Sequence, residues 1–114
     1  RMIKSSGMNV YPAQVEELLY RHPKVRDACV IGVPDEAQVQ AVKAFIVLKN
    51  PGEAGAAAEK ELIDYCREHL IKWSCPRFVE FRDDLPKTLV GKIAYNALEK
   101  QEIARLKQEG KFSG

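Results

Sequence analysis

Two short loops carry a lysine close to a glycine, a combination that suits the binding of a phosphate group. The first spans residues 4–9 (KSSGMN) and the second spans residues 85–92 (LPKTLVGK). Glycine lets a backbone approach a ligand closely, and lysine supplies a compact positive charge. Neither loop has the G-x-x-x-x-G-K-[ST] spacing of a nucleotide-binding loop. From the residues alone, the second loop is either an anion-binding loop or a turn into a helix with a solvated Lys92.

No other side chains form a recognisable catalytic or metal-binding pattern in the sequence. His22 and His69 are far apart, and neither has a serine, cysteine or carboxylate pair at a familiar spacing. Cys29, Cys66 and Cys75 show neither C-x-x-C spacing nor pairing with histidine. Cys29 and Cys66 have apolar neighbours, and burial among such residues raises the pKa of a thiol. We therefore expect these cysteines to be structural, and we predict no metal site.

The composition is typical of one small domain, which we expect to span residues 1–114. The chain has 18 Lys and Arg against 16 Asp and Glu, a net charge of +2, which argues against a nucleic-acid-binding module. No apolar run approaches the ~20 residues of a transmembrane helix, and no signal peptide is evident. The three unpaired cysteines indicate a reduced, cytoplasmic location. The chain begins at Arg1 inside a motif, which suggests a piece of a larger protein, and residues 109–114 are expected to form a flexible tail.

Apolar spacing predicts the helices and strands that must position the two loops. Pro12 suits the first position of a helix, because its missing N–H needs no partner there, and Pro23 ends that helix. A continuous apolar run predicts a strand that is covered on both faces. The connection at residues 50–58 is expected to be flexible. The predicted helices are 13–21, 59–71 and 93–108, the predicted strands are 28–33, 41–48 and 77–82, and residues 1–10 form a short hairpin or extended loop.

This order of elements predicts an α+β fold. The short connection between the first two strands suits an antiparallel pair, so we expect a small, mostly antiparallel sheet of about three strands plus the N-terminal hairpin. The helices are expected to pack on one face of the sheet, as a two-layer sandwich. The last helix is mainly polar, with only Leu98, Ile103 and Leu106 in its apolar stripe, which predicts a place at the surface or against a partner.

Several stretches of the sequence resemble the small C-terminal domain of the adenylate-forming enzymes. Residues 2–17 (MIKSSGMNVYPAQVEE) are similar to the motif that follows the hinge of this family, and residues 85–93 (LPKTLVGKI) are similar to its catalytic-lysine motif. Residues 22–25 and 28–35 between them also match. The family includes acyl-CoA synthetases, peptide-synthetase adenylation domains and luciferases. The resemblance covers residues 1–98 and is strongest to fatty-acyl-CoA synthetases.

The resemblance implies a two-step reaction and a set of partners. A carboxylic acid attacks ATP to give an acyl-adenylate and pyrophosphate, and coenzyme A then displaces AMP to form a thioester. The chain's own N-terminal adenylation domain, which would lie upstream, binds ATP, Mg2+ and the acid in this family. The C-terminal domain rotates between the steps, and alone it is expected to be inactive.

The resemblance also assigns roles to loop residues. Lys92 would be the catalytic residue of adenylate formation, because it would bridge the acid and the α-phosphate, and Gly91 would let its loop turn tightly. Ser6, Gly7 and Met8 would line the tunnel for the pantetheine arm of coenzyme A, where a residue without a Cβ leaves room for the chain.

Two further residues lie where some members of the family bind the nucleotide end of coenzyme A. Trp73 would stack on the adenine and Arg77 would contact the 3′-phosphate; the alternative is a tryptophan in the core beside an arginine that begins a strand. Gln14, Val90 and Tyr95 depart from the residues usual in the family, which affects the capping of the helix start and the contacts around the lysine but not the lysine itself.

Two alternatives to a fatty-acid ligase remain at this point. The first is the C-terminal domain of an aryl or short-chain acid–CoA ligase, or of an adenylation enzyme that uses a carrier protein, since the acid-binding pocket would lie in the other domain. The second is a non-catalytic α+β interaction domain whose polar last helix contacts a partner. That second alternative predicts that Lys92 is dispensable.

Overall fold

The computed structural model describes residues 1–35 and 39–109, and the predicted α+β class is confirmed within them. Residues 110–114, most of the predicted tail, lie outside the described residues. Among the described helices, none is both long enough and apolar enough to cross a bilayer. The strands are β1 (Ile3–Ser5), β2 (Met8–Val10), β3 (Val25–Asp35), β4 (Val39–Leu48) and β5 (Phe78–Phe81), and the helices are α1 (Pro12–Tyr20), α2 (Ala56–His69) and α3 (Tyr95–Gln108).

β4 is the central strand of the sheet. β3 pairs with it in antiparallel register along almost its whole length. On its other edge, β4 meets β1 at the pair Ser5–Val39 and then runs parallel to β5 from the pair Lys43–Phe78. β1 and β2 form the predicted N-terminal hairpin. The sheet is therefore mostly antiparallel, as predicted, with β5 as its parallel strand.

Helices cover both faces of the sheet, so the prediction that all of them lie on one face is wrong. Most residues of β3 and β4 are apolar, and successive side chains of a strand point to opposite faces, so each face needs a cover. This agrees with the prediction that the strand at residues 28–33 is covered on both sides. On the face with α1 and α2 the core includes Val15, Leu19, Val30, Ile46, Leu62 and Cys66. On the face with α3 it includes Cys29, Ile31, Phe45, Val47, Leu85 and Leu98.

A buried ion pair explains why α3 is polar and yet packs on the sheet. Lys43 interrupts the apolar pattern of β4 on the α3 face, and its Nζ lies 2.9 Å from Oε1 of Glu102 and 3.0 Å from Oε1 of Glu80. Glu102 is only 2% exposed, and it also pairs with Arg105 on the same helix. A buried charge is tolerated when it is paired and hydrogen-bonded. The ion pair therefore takes the place of an apolar contact and fixes α3 to β4.

Several element boundaries differ from the prediction. α2 begins at Ala56 rather than at residue 59. Part of the expected flexible connection forms a 3₁₀ turn (Pro51–Glu53), in which Oδ1 of Asn50 accepts the N–H of Gly52. α3 begins at Tyr95 rather than at residue 93, because the residues before it form a separate small hairpin. That hairpin carries Lys92.

Candidate functional site

Lys92 lies on a small, hydrogen-bonded hairpin, here called the lysine loop (residues 85–94). The N–H of Ala94 donates to the carbonyl of Pro86 at 2.8 Å, and the N–H of Thr88 donates to the carbonyl of Lys92 at 2.7 Å. These bonds join the two arms of the loop although neither arm belongs to the main sheet. The loop therefore holds the Lys92 backbone in a defined position at the surface.

Gly91 makes the turn of the lysine loop possible. Its φ is +85°, in the left-handed region where a side chain is unfavourable. Its N–H donates to the carbonyl of Thr88 at 2.9 Å and so closes a β-turn with Leu89 and Val90 at the tip. A Cβ at Gly91 would have no atom within 4 Å. Backbone conformation, and not crowding, therefore favours glycine here.

The charge of Lys92 is not neutralised within the described part of the chain. No ion pair joins its ammonium group to any carboxylate of residues 1–35 or 39–109. Lys87 on the opposite arm is different, because its Nζ lies 3.3 Å from Asp84 and 3.9 Å from Asp27. The pKa of Asp84 is lowered by the backbone N–H of Leu85 and by Lys87. Of these two lysines, Lys92 is the one available to an external anion.

A surface groove of about 430 Å³ lies beside Lys92. Its wall includes an ion pair in which Arg1 donates to both carboxylate oxygens of Glu16, at 3.0 and 2.6 Å. Glu16 also accepts the N–H of Val30 at 2.7 Å, and Arg1 donates to the carbonyl of Val30 at 2.7 Å. Arg1 further lies 4.2 Å from the ring centroid of Tyr95. The ion pair thus supplies hydrogen-bond partners to the N–H and carbonyl of Val30 on the open edge of β3. Through Tyr95 it also connects this edge to the start of α3, immediately after the lysine loop.

Cys29 also lines this groove, but it is not a nucleophile. Burial and, to a lesser extent, the neighbouring Glu16 carboxylate raise the pKa of its thiol to about 12. The thiol therefore stays protonated at neutral pH, and a protonated thiol is unreactive. Burial raises the pKa of Cys66 to about 12 as well. The prediction that both cysteines are structural agrees with these surroundings.

Ser6 and Gly7 form the two-residue turn between β1 and β2. Ser5 and Met8 pair across it, and both turn residues have positive φ, 53° at Ser6 and 79° at Gly7. This is the turn that suits the twist of a two-stranded hairpin, and glycine favours it. A Cβ at Gly7 would have no atom within 4 Å. Backbone conformation, and not crowding, therefore favours glycine at position 7.

Trp73 and Arg77 lie in the segment that connects α2 to β5. Trp73 lies on a 3₁₀ turn (Lys72–Ser74) next to β2, and it is partly buried against the core on the α1 and α2 face. Arg77 is exposed, and its guanidinium donates to Asp35 at 2.9 Å. Trp73 therefore has a structural contact as well as an exposed part, and Arg77 already has one carboxylate partner.

The candidate residues fall into two groups at opposite edges of the sheet. Ser5 meets the edge of β4 at Val39, and the N–H of Arg77 donates to the carbonyl of Val42 on the same edge. These two positions are three residues apart, roughly 10 Å at the rise of a strand. Lys92 instead borders a groove lined by β3, which forms the opposite side of the sheet. The structure thus brings the hairpin turn and Arg77 to one edge and Lys92 to the other.

Sequence reasoning missed the ion pair between Arg1 and Glu16. Glu16 lies beside Glu17 on α1, and nothing in its spacing distinguishes it from that exposed neighbour. The available signal was the strand at residues 28–33, which is buried on both faces and whose free edge needs polar partners. Among the described residues, no three or more His, Cys, Asp or Glu side chains form a group that could hold a metal ion.

The chain is similar to known proteins over most of its length. The family model for the AMP-binding enzyme C-terminal domain matches residues 14–92. The match includes Lys92 and ends there, and it begins after the turn at Gly7.

Individual relatives extend the similarity over most of the chain. A long-chain-fatty-acid–CoA ligase from Yersinia pestis is 45% identical over 102 residues, which are 90% of this chain and 17% of that protein. The crystal structure of an acyl-CoA synthetase from Brucella canis superposes with a TM-score of 0.86 at 39% identity, over 92% of this chain and 19% of that one. The anthranilate CoA ligase AuaEII, in complex with anthranoyl-AMP, has a TM-score of 0.86 at 36% identity, over 93% and 20% of the two chains. The chain thus spans about a fifth or less of each of these proteins.

Proposed function

The chain belongs to the family of AMP-binding enzyme C-terminal domains, and we propose that it is the mobile C-terminal domain of an acyl-CoA synthetase that activates a fatty acid. The observation that carries the proposal is the unneutralised Lys92 on a hydrogen-bonded loop, within the part of the chain that matches the family. A lysine whose ammonium group has no ion-pair partner among the described residues is free to meet an anion. Such a domain supplies part of an active site and needs the rest from its own N-terminal adenylation domain.

In the first step, Lys92 stabilises the formation of the acyl-adenylate. A carboxylate oxygen of the acid bonds to the α-phosphorus of ATP, and the bond from that phosphorus to the bridging oxygen breaks to release pyrophosphate. The ammonium group stabilises the negative charge on the phosphoryl oxygens and also orients the carboxylate. A positioned charge of this kind contributes most where charge develops during the reaction. Gly91 supports the lysine by setting the turn of its loop.

The first step is tested by Lys92→Ala in the full-length enzyme. Losing a positioned electrostatic group costs ~100-fold or more in rate, so the acid-dependent exchange of pyrophosphate into ATP is expected to fall by about that factor. Lys100→Ala serves as the control, because Lys100 is an exposed lysine on α3 away from the loop. An exchange rate unchanged in Lys92→Ala would contradict the assignment and favour a non-catalytic interaction domain.

In the second step, the turn at Ser6, Gly7 and Met8 borders the path of the pantetheine arm. The thiol sulfur of coenzyme A attacks the acyl carbonyl, the bond to the AMP oxygen breaks, and the thiol proton is lost to solvent. The free space around Gly7 supports this role, because a narrow chain can then pass close to the backbone. Met8 is 41% exposed beside the turn and offers an apolar contact to such a chain.

The nucleotide end of coenzyme A is proposed to contact Trp73 and Arg77. The exposed part of the indole offers a surface for stacking on adenine. The guanidinium of Arg77 is exposed and donates to Asp35, and a phosphate that reached it would accept a charge-assisted hydrogen bond. These residues lie on the same side of the domain as the hairpin turn, as one coenzyme molecule requires.

The two proposed sites require the domain to turn between the steps. Lys92 borders the groove at β3, whereas Gly7 and Arg77 lie by the other edge of β4. A single orientation cannot direct both edges at one reaction centre. The N-terminal adenylation domain is therefore the main partner, and the C-terminal domain presents a different edge to it in each step.

ATP and Mg2+ are assigned mainly to that N-terminal domain. Among the described residues, no three or more His, Cys, Asp or Glu side chains form a group that could hold a metal ion, which supports this assignment. We also propose a cytoplasmic location, which is supported by three free cysteines, because thiols persist in reducing compartments.

A fatty acid is the proposed substrate class because the Yersinia pestis relative at 45% identity is a long-chain-fatty-acid–CoA ligase. The similarity to the anthranilate CoA ligase AuaEII favours an aryl acid as the second candidate. Full-length enzyme assayed with palmitate and with anthranilate distinguishes the two, since the proposal predicts that only palmitate supports pyrophosphate exchange.

A further inference from the structure

The tip of the lysine loop is unusually apolar and fully exposed. Leu89 has a relative exposure of 108% and Val90 of 80%, the two highest values among the large exposed hydrophobic residues that the structure describes. The β-turn bond from Gly91 to Thr88 holds both side chains at the tip. Polar residues are usual in turns, because their side chains can hydrogen-bond to the turn backbone or to water. Neither apolar side chain packs within the loop itself. The tip therefore has the character of a contact surface for something outside the domain.

The position of Lys92 limits what this surface can contact. Consecutive Cα atoms are 3.80 Å apart, so the Cα atoms of Val90 and Lys92 are separated by at most about 7.6 Å. When Lys92 enters the adenylate-forming site, the tip must enter with it. The neighbouring surface is then the wall around the carboxyl end of the bound acid. An apolar contact there excludes water, and excluding water strengthens the attraction between an ammonium group and phosphoryl oxygens.

We propose that Leu89 and Val90 form an apolar plug that packs against the adenylation domain beside the acid carboxylate and keeps water away from Lys92. The partner is the N-terminal domain of the same polypeptide, and the matching surface is apolar. The plug acts only in adenylate formation, because the thioester step uses the opposite edge of the domain. The proposal rests on the proposed function of Lys92.

The test compares three variants in the full-length enzyme. In Leu89→Ser with Val90→Ser, the tip becomes polar while every hydrogen bond of the loop backbone remains, so pyrophosphate exchange is expected to fall at least tenfold, or about 1.4 kcal/mol. In Leu89→Met with Val90→Ile, the tip stays apolar, and the rate is expected within threefold of the wild type. Thioester formation from supplied acyl-adenylate is expected within twofold in both, which also shows that the variants are folded.

The third variant, Lys92→Ala, separates this proposal from the proposed function. If Lys92→Ala loses exchange and the double serine variant does not, the plug is wrong and the role of the lysine stands. If neither loses exchange, both are wrong. Equal losses in the serine and the apolar double variants would also overturn the plug, because the loss would then come from shape and not from polarity.

Discussion

Gly7 and Gly91 offer a matched pair of substitutions that separates the two half-reactions. Both have φ in the left-handed region, +79° and +85°, and an added Cβ at either one would have no atom within 4 Å. Alanine therefore meets a similar backbone cost at each position and no steric clash. Gly91→Ala is expected to slow acyl-adenylate formation, and Gly7→Ala is expected to slow thioester formation, while the other step stays within twofold.

The size of the effect follows from the backbone conformation. A residue with a Cβ pays about 1–2 kcal/mol to adopt the left-handed conformation. Because nothing crowds either turn, the strain is relieved by leaving the observed conformation, and 1–2 kcal/mol corresponds to a factor of about 5–30 in population. The affected half-reaction is expected to fall by that factor.

The assay uses the full-length enzyme with each half-reaction measured alone. Pyrophosphate exchange reports adenylate formation, and supplied acyl-adenylate with coenzyme A reports the thioester step. Gly52→Ala is the control, since Gly52 lies in the 3₁₀ turn before α2 and has no positive φ. Equal losses in both steps for Gly7→Ala and Gly91→Ala would contradict the assignment of the two turns to separate half-reactions, because the strain would then act on the folding of the domain.

Three further predictions concern the ion pair, the thiols and the coenzyme site. Glu102→Leu leaves Lys43 buried with one partner fewer and should lower the free energy of unfolding, measured by urea denaturation, by ~3–5 kcal/mol. Adding Lys43→Met should recover most of this loss, and no recovery would contradict the role of the pair. Because burial raises the pKa of Cys66 to about 12, its thiolate is scarce at pH 8, so iodoacetamide followed by mass spectrometry should label the less buried Cys75 first; faster labelling of Cys66 would oppose this. Arg77→Ala should raise KM for coenzyme A about tenfold, the scale of one charged hydrogen bond of ~1.5 kcal/mol, but should not change KM for dephospho-coenzyme A, which lacks the 3′-phosphate; an equal rise for both would exclude the phosphate contact.

Local sequence signals predicted the elements well where the determinant is local. Pro12 is the first residue of α1, and the apolar run at residues 28–33 lies inside β3 with both of its faces covered. The positive φ values at Gly7 and Gly91 likewise agree with turns predicted from glycine. These features depend on neighbours within a few residues, which a sequence displays directly.

Long-range polar contacts were beyond prediction from the sequence. Lys43 and Glu102 are 59 residues apart, and each is an ordinary charged residue until the fold places them together. Their pairing lets a polar helix pack on the sheet. Because the sequence does not show this pairing, all helices were predicted to lie on the other face. Arg1 and Glu16 are likewise joined only because both reach the free edge of β3. The two-edge arrangement of the candidate site likewise depends on pairing between distant residues, such as Ser5 with Val39.

The assignment of the two edges to two steps is tested most directly by the rate of thioester formation in full-length Lys92→Ala with supplied acyl-adenylate and coenzyme A. Since Lys92 lies at the edge opposite to the hairpin turn, we expect a rate within twofold of the wild type, although the same variant is expected to lose pyrophosphate exchange by ~100-fold. A thioester rate that falls in parallel with the exchange rate would contradict the assignment of the two edges to two steps.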